Sequence, residues 1–68
     1  MTFDIWSADN GPSRLFHGTS EGANFTQACY EYAAKHWAFR RKFNPLQLTY
    51  NGYKLYPTEQ EVLDSFSL

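Results

Sequence analysis

A single cysteine, Cys29, stands in a chain of 68 residues. No internal disulfide can form, so this small domain must hold together without the covalent staple that scaffolds of its size often use. A lone thiol fits a reducing compartment. Met1 runs straight into Thr2, Phe3 and Asp4. No basic n-region or apolar h-region precedes them, and the expected location is the cytoplasm. Long apolar runs are missing too, all falling far short of the ~20 residues that cross a bilayer. Neither sign of charge is in surplus: six basic and seven acidic side chains leave −1 at pH 7, with a pI near 6.0. That is not the global signature of a nucleic-acid or membrane binder, nor the strongly acidic balance of a nucleic-acid mimic.

Catalytic patterns are equally sparse. His17, Cys29 and His36 are too few and too scattered for a zinc site. Gly18 and Gly22, with no lysine following, do not make a phosphate-binding loop. Cys29 and His36 sit on one expected helix about 10 Å apart by rise, beyond the reach of a thiolate–imidazole pair. Spacing alone leaves Cys29 with His17 open, against the simpler reading of Cys29 as a small buried hydrophobe. The expectation is a protein that binds rather than catalyses and that needs no cofactor or metal.

What the chain does have is aromatic rings: six Phe, five Tyr and two Trp, 19% of its residues. Each ring buries roughly 150–250 Å², and a domain this small encloses only about 60% of its unfolded surface. Thirteen rings exceed what such a core holds. Some are expected outside, where a contiguous apolar patch marks a contact surface.

Period and punctuation predict the elements of one domain spanning residues 1–68. Residues 2–7 alternate as a strand, Asn10-Gly11-Pro12 turns the chain, and 13–17 return antiparallel. Residues 18–23 read as a loop. Asn24 is the N-cap of a helix, with Gln27 completing a capping box. This role outweighs the glycosylation match of Asn24-Phe25-Thr26. The apolar stripe Phe25, Ala28, Cys29, Tyr32, His36, Phe39, Phe43 covers about 100° of arc, so the helix is expected to run from 25 to 43 and stop before Asn44-Pro45. At roughly 28 Å it outruns the strands, which places a kink or overhang near His36–Trp37. Asn51-Gly52 then centres a type I′ hairpin between 46–50 and 53–56, with Tyr50 opposite Tyr53 and Leu48 opposite Leu55. Gln47, Thr49, Lys54 and Tyr56 take the other face. Thr58-x-x-Glu61 caps a short last helix carrying Val62, Leu63 and Phe66. The expected fold is α+β, ββαββα: a four-stranded antiparallel sheet, one long helix across a face and a short C-terminal helix.

Four groups of residues are candidates for contact. Tyr30, Ala34, Trp37 and Arg41 form a second stripe, away from the core side of the long helix. Trp37 and Arg41 are i, i+4 neighbours suited to a cation–π pair, and Tyr, Trp and Arg are the residue types enriched at binding hot spots. The competing reading has the C-terminal helix packed over this stripe. Arg40, Arg41 and Lys42, with Lys35, form a basic run that either complements the helix dipole or meets phosphate or carboxylate. Trp6 and Tyr56 are expected on an uncovered outer face of the sheet. Glu59, Glu61 and Asp64 complement the last helix's dipole or form an acidic patch.

The chain as a whole, small, single-domain, α+β and without catalytic motifs, resembles the very small accessory proteins of phages and mobile elements, among them the anti-CRISPR inhibitors. The stretch Phe25-x-x-Ala28-Cys29 through Leu48-Thr49-Tyr50-x-Gly52 looks like that of short phage proteins. The resemblance carries over no functional residue. It implies a host protein or complex as partner, blocked by steric occupation in the host cytoplasm. The chain departs from the acidic, nucleic-acid-mimicking inhibitors in carrying Arg40, Arg41 and Lys42. Two other readings stay open: a small nucleic-acid-binding domain using Arg40–Lys42 with sheet aromatics such as Tyr56, and a homodimer that spends its aromatic excess on its own interface.

Overall fold

A computed structural model describes residues 1–67. β1 (Thr2–Asp9) and β2 (Ser13–Glu21) form a long antiparallel hairpin. Its turn places Asn10 at φ 48 and Gly11 at φ 85, the left-handed pair that a tight hairpin requires. Then follow α1 (Phe25–Lys35), the short α2 (Trp37–Arg40), β3 (Phe43–Asn44), β4 (Thr49–Tyr50), β5 (Tyr53–Tyr56) and α3 (Glu59–Ser65). The five strands lie in the order β2-β1-β5-β4-β3 with every pairing antiparallel. β1 and β5 join the two hairpins, setting Trp6 opposite Tyr56 and Ser7 opposite Leu55.

The α+β class is as the sequence implies, but the sheet has five strands rather than four. The fifth is β3, built from Phe43, expected to end the long helix, and Asn44, just beyond it. That helix stops at Lys35, where His36 turns extended at φ −126, ψ 95. The break lies where a kink was expected, although no Pro or Gly forces it. The reason is Phe39. Turning the chain at His36 brings this ring to 5% exposure, among His17, Tyr32, Phe43 and Tyr50 at centroid distances of 5.0–5.4 Å. Burying a Phe is worth about 1.5–3 kcal/mol. The break costs little, because the His36 N–H still donates to Tyr32 O at 2.9 Å.

Two other boundaries differ. β2 runs on to Glu21, through residues expected to be loop, because β1 offers it partners as far as Thr2. The expected strand at 46–50 shrinks to Thr49–Tyr50. Asn44 Oδ1 accepts from the N–H groups of Leu46 and Gln47, curling the chain into a turn in which Leu48 sits at φ 56. The hairpin register is as expected: Tyr50 opposes Tyr53, and Leu55 N donates to Leu48 O.

Both N-caps form, but neither box closes on the cap residue's own N–H. Gln27 N donates to Asn24 Oδ1, and the Gln27 side chain reaches back to the N–H of Ala23, one residue before the cap. Thr58 and Glu61 exchange two bonds.

The core, Ile5, Cys29, Ala33, Phe39 and Leu55, lies between the sheet and α1–α2. α3 takes the opposite face. Arg14 pairs with Ala8 in register, alternating with the residues that face α1, and its guanidinium meets Glu59 of α3 at 2.8 Å. Val62 of α3 is fully buried outside the main core cluster. Trp6 and Tyr56 are therefore half-buried rather than free; Trp6 packs on Phe16 at 4.9 Å and Lys54 lies over Tyr56 at 5.8 Å. Among the described residues, no helix is long and apolar enough to cross a membrane.

Candidate functional site

With α3 committed to the far face of the sheet, the outer side of α1–α2 stays uncovered. Trp37 is 70% exposed and Tyr30 47%. The Arg41 guanidinium lies 5.0 Å from the Trp37 ring centroid, the cation–π pair that their spacing suggested.

The break at His36 divides the expected stripe in two. Tyr30 and Ala34 stay on α1 and, with Ala33, Arg40, Phe43 and Pro45, line an open cleft of about 480 Å³. Trp37 and Arg41 leave it and form a separate exposed stack. Arg40, which the sequence grouped with its neighbours in a basic run, is the one cation of that run on the cleft wall. Tyr30 fixes one side. Its ring meets Phe43 edge-on at 5.9 Å, and its hydroxyl donates to Pro45 O at 3.3 Å, longer than the usual 2.7–2.8 Å of such a bond. Lys42 is exposed, and its carbonyl accepts from Asn51 N–H.

Charge is distributed unevenly along the chain. All seven acids lie at or before Glu31 or at or after Glu59, while residues 32–58 hold Lys35, Arg40, Arg41, Lys42 and Lys54 and no acid at all. Among the described residues, the ion pairs join Arg14 to Glu59 and the N-terminus to Glu21. The five cations of the middle segment have no carboxylate within bonding distance there. A count of acids by position would have found this from sequence. The cleft was not readable, since Phe43 and Pro45 come to it from beyond the helix break.

The acidic candidates have partners within the fold, with Glu61 and Asp64 still exposed. Glu59 holds Arg14, Glu61 caps α3, and Asp64 accepts from Gln60 Nε2 at 2.9 Å. The acids act inside α3 and along its seam with the sheet. Among the described residues, no three His, Cys, Asp or Glu side chains gather where they could share a metal ion.

The buried polar pair Ser7–His17 also has a structural explanation. Ser7 Oγ lies 2.9 Å from both His17 Nε2 and Ala8 O. The contact gives both polar groups a partner inside the fold. Burial holds the His17 imidazole down at about 4, against a smaller upward pull from Asp9, so it is neutral at pH 7. Cys29 is fully buried, and burial pushes its thiol up to about 12, far from the thiolate that reactivity needs.

No protein-family model, curated protein or solved structure matches the chain.

Proposed function

We propose that this protein is a small protein-binding inhibitor or adaptor of the phage-encoded, anti-CRISPR-like kind. It acts by steric occupation of a host protein complex rather than by catalysis. Tyr30, Trp37 and Arg41 supply the contact, with Arg40 and Lys42 around them. The observation that carries this reading is Trp37, the more exposed of the two indoles, held 70% open under a guanidinium that pairs with no acid among the described residues. A ring that size contributes far more to a contact than to solvent, and the Trp–Tyr–Arg combination is that of a hot spot.

The test is capture of partners from nuclease-treated bacterial lysate by the tagged protein. Trp37→Ala and Arg41→Glu are each expected to abolish recovery of one stoichiometric protein complex while circular dichroism and melting stay those of the parent. Both side chains lie outside the core, so folding is not at stake. Undiminished capture by both variants would place the contact elsewhere. Recovery that disappears on nuclease treatment would favour nucleic acid held by Arg40, Arg41 and Lys42.

A further inference from the structure

We infer that the cleft between α1 and the β3–β4 connection is an anchor pocket for an acidic peptide segment of the partner, one that carries an aromatic or branched aliphatic side chain flanked by carboxylates. This rests on the protein-binding reading above and specifies the chemistry of the partner.

The inference follows from how the walls differ. Buried Ala33 and exposed Ala34 line the α1 side with no long side chain to fill the cleft. Tyr30, Phe43 and Pro45 make apolar sides, and Arg40 supplies the charge. The volume of about 480 Å³ falls in the range of small-ligand sites and admits one large side chain with room around it. A site of this kind takes an apolar body and a carboxylate beside it. Arg40 is placed for the second, since a guanidinium matches a carboxylate with two parallel bonds.

The surroundings extend the same preference. Lys35, Arg41 and Lys42 lie within five residues of Arg40, and among the described residues none of them is ion-paired, although Glu31 stands beside Tyr30 on α1. A segment with carboxylates on both sides of its anchor neutralises more than one of these cations. The long Tyr30–Pro45 hydrogen bond is readily exchanged, leaving the Tyr30 hydroxyl free to donate to the incoming backbone. Nucleic acid fits less well: the lining is apolar, and one face of the exposed Trp37 ring already carries Arg41, which reduces what is left for stacking a base.

The experiment is a titration of the isotope-labelled protein, followed by amide NMR, with the capped peptide Asp-Glu-Trp-Glu-Asp. Controls are the same peptide with Ala for Trp, the same with Lys for every acid, and a short oligothymidylate. The acidic Trp peptide is expected to shift the amides of Ala33, Ala34, Arg40 and Phe43 saturably. Either peptide control is expected to bind at least about tenfold more weakly. Ala34→Leu puts a good helix former's bulk into the cleft from its exposed α1 side and leaves the core intact; it and Arg40→Glu are expected to remove the saturable shifts while the spectrum stays folded. Equal response to the Ala or Lys control, tighter binding of the oligothymidylate, or no shift at the cleft overturns the inference. Partner capture separates this failure from that of the broader reading. If Trp37→Ala abolishes capture while Ala34→Leu leaves it whole, the surface stands and the pocket falls. If neither variant affects capture, both fall.

Discussion

His17 reaches the core because β2 carries one more residue than β1 between Ile5 and Trp6. Such a bulge re-aims a side chain that regular alternation would send elsewhere. Here it seats the imidazole 4.4 Å from the Tyr50 ring and 5.1 Å from Phe39, with Ser7 as its polar partner. The imidazole protonates near 6.5 when unfolded and near 4 when folded. Between these values the unfolded chain binds the extra proton, so stability falls as pH drops from 6.5 to 4 and is fully present above 6.5. With allowance for solvent screening of the partly exposed ring, the loss is about 1–2 kcal/mol. Denaturant midpoints measured across this window are expected to fall in the parent. They are expected to stay flatter in His17→Gln, which keeps a polar partner for Ser7 but cannot titrate. Equal slopes would assign the acid sensitivity to the carboxylates instead. The adjacent Gly18 is constrained as well: at φ 151, an added Cβ would stand 2.6 Å from the Tyr32 hydroxyl oxygen, which itself donates to His17 O. The bulge, the imidazole and the helix are thus fixed against one another at one point.

At the scale of elements, local signals were legible and competition between distant contacts was not. Asn24 and Thr58 cap their helices because capping involves only neighbouring residues. Asn51-Gly52 turned where its backbone preferences required, with Asn51 at φ 52 and Gly52 at φ 86. The helix stripe was different. Phe39 and Phe43 fit a 3.6-residue period, yet the chain leaves the helix between them, letting Phe39 stack on Tyr50 while Phe43 packs on Phe39. Phe43 instead pairs across to Tyr50 in β3–β4. No local rule distinguishes those outcomes. α3 is the element most dependent on its cap, since its seven residues are too few to hold a helix in isolation. Thr58→Ala is expected to lower global stability by about 1 kcal/mol and to raise amide exchange first in α3, ahead of α1. Loss of protection in both helices together would mean that α3 does not unfold as a separate unit. The Arg14–Glu59 pair, exposed at its rim, contributes at most about 1 kcal/mol to that docking. Val62, fully buried, carries more.

For the whole molecule, net charge conceals its distribution. A value of −1 argues against a strongly electrostatic partner only if charges are spread evenly, and here they are not. Residues 32–58 hold five cations and no acid; six of the seven acids lie at or before Glu21 or at or after Glu59, and the seventh, Glu31, stands on α1. The fold preserves this imbalance. Of the two acid-bearing segments, the later one is pinned by α3 to the sheet face opposite α1, away from Arg40 and Arg41. Trp37 and Arg41 were legible as partners because four residues separate them on a helix. The charge field around them depends on which sheet face the last helix takes, and no local pattern fixes that. A patch of this kind binds an oppositely charged surface even when the molecule as a whole is weakly anionic, because fields fall off within a Debye length of about 10 Å at 0.1 M salt and a surface meets only the near side. The protein is therefore expected to be retained on a sulfonate resin at pH 7 and low ionic strength, above its pI of about 6.0, and to elute as salt rises. Arg40→Glu with Arg41→Glu is expected to release it into the flow-through, whereas Arg14→Glu, on the other face, leaves retention nearly unchanged. Passage of the parent protein without retention would mean that the acids screen the basic side after all, and electrostatic attraction of an acidic partner would lose its physical basis.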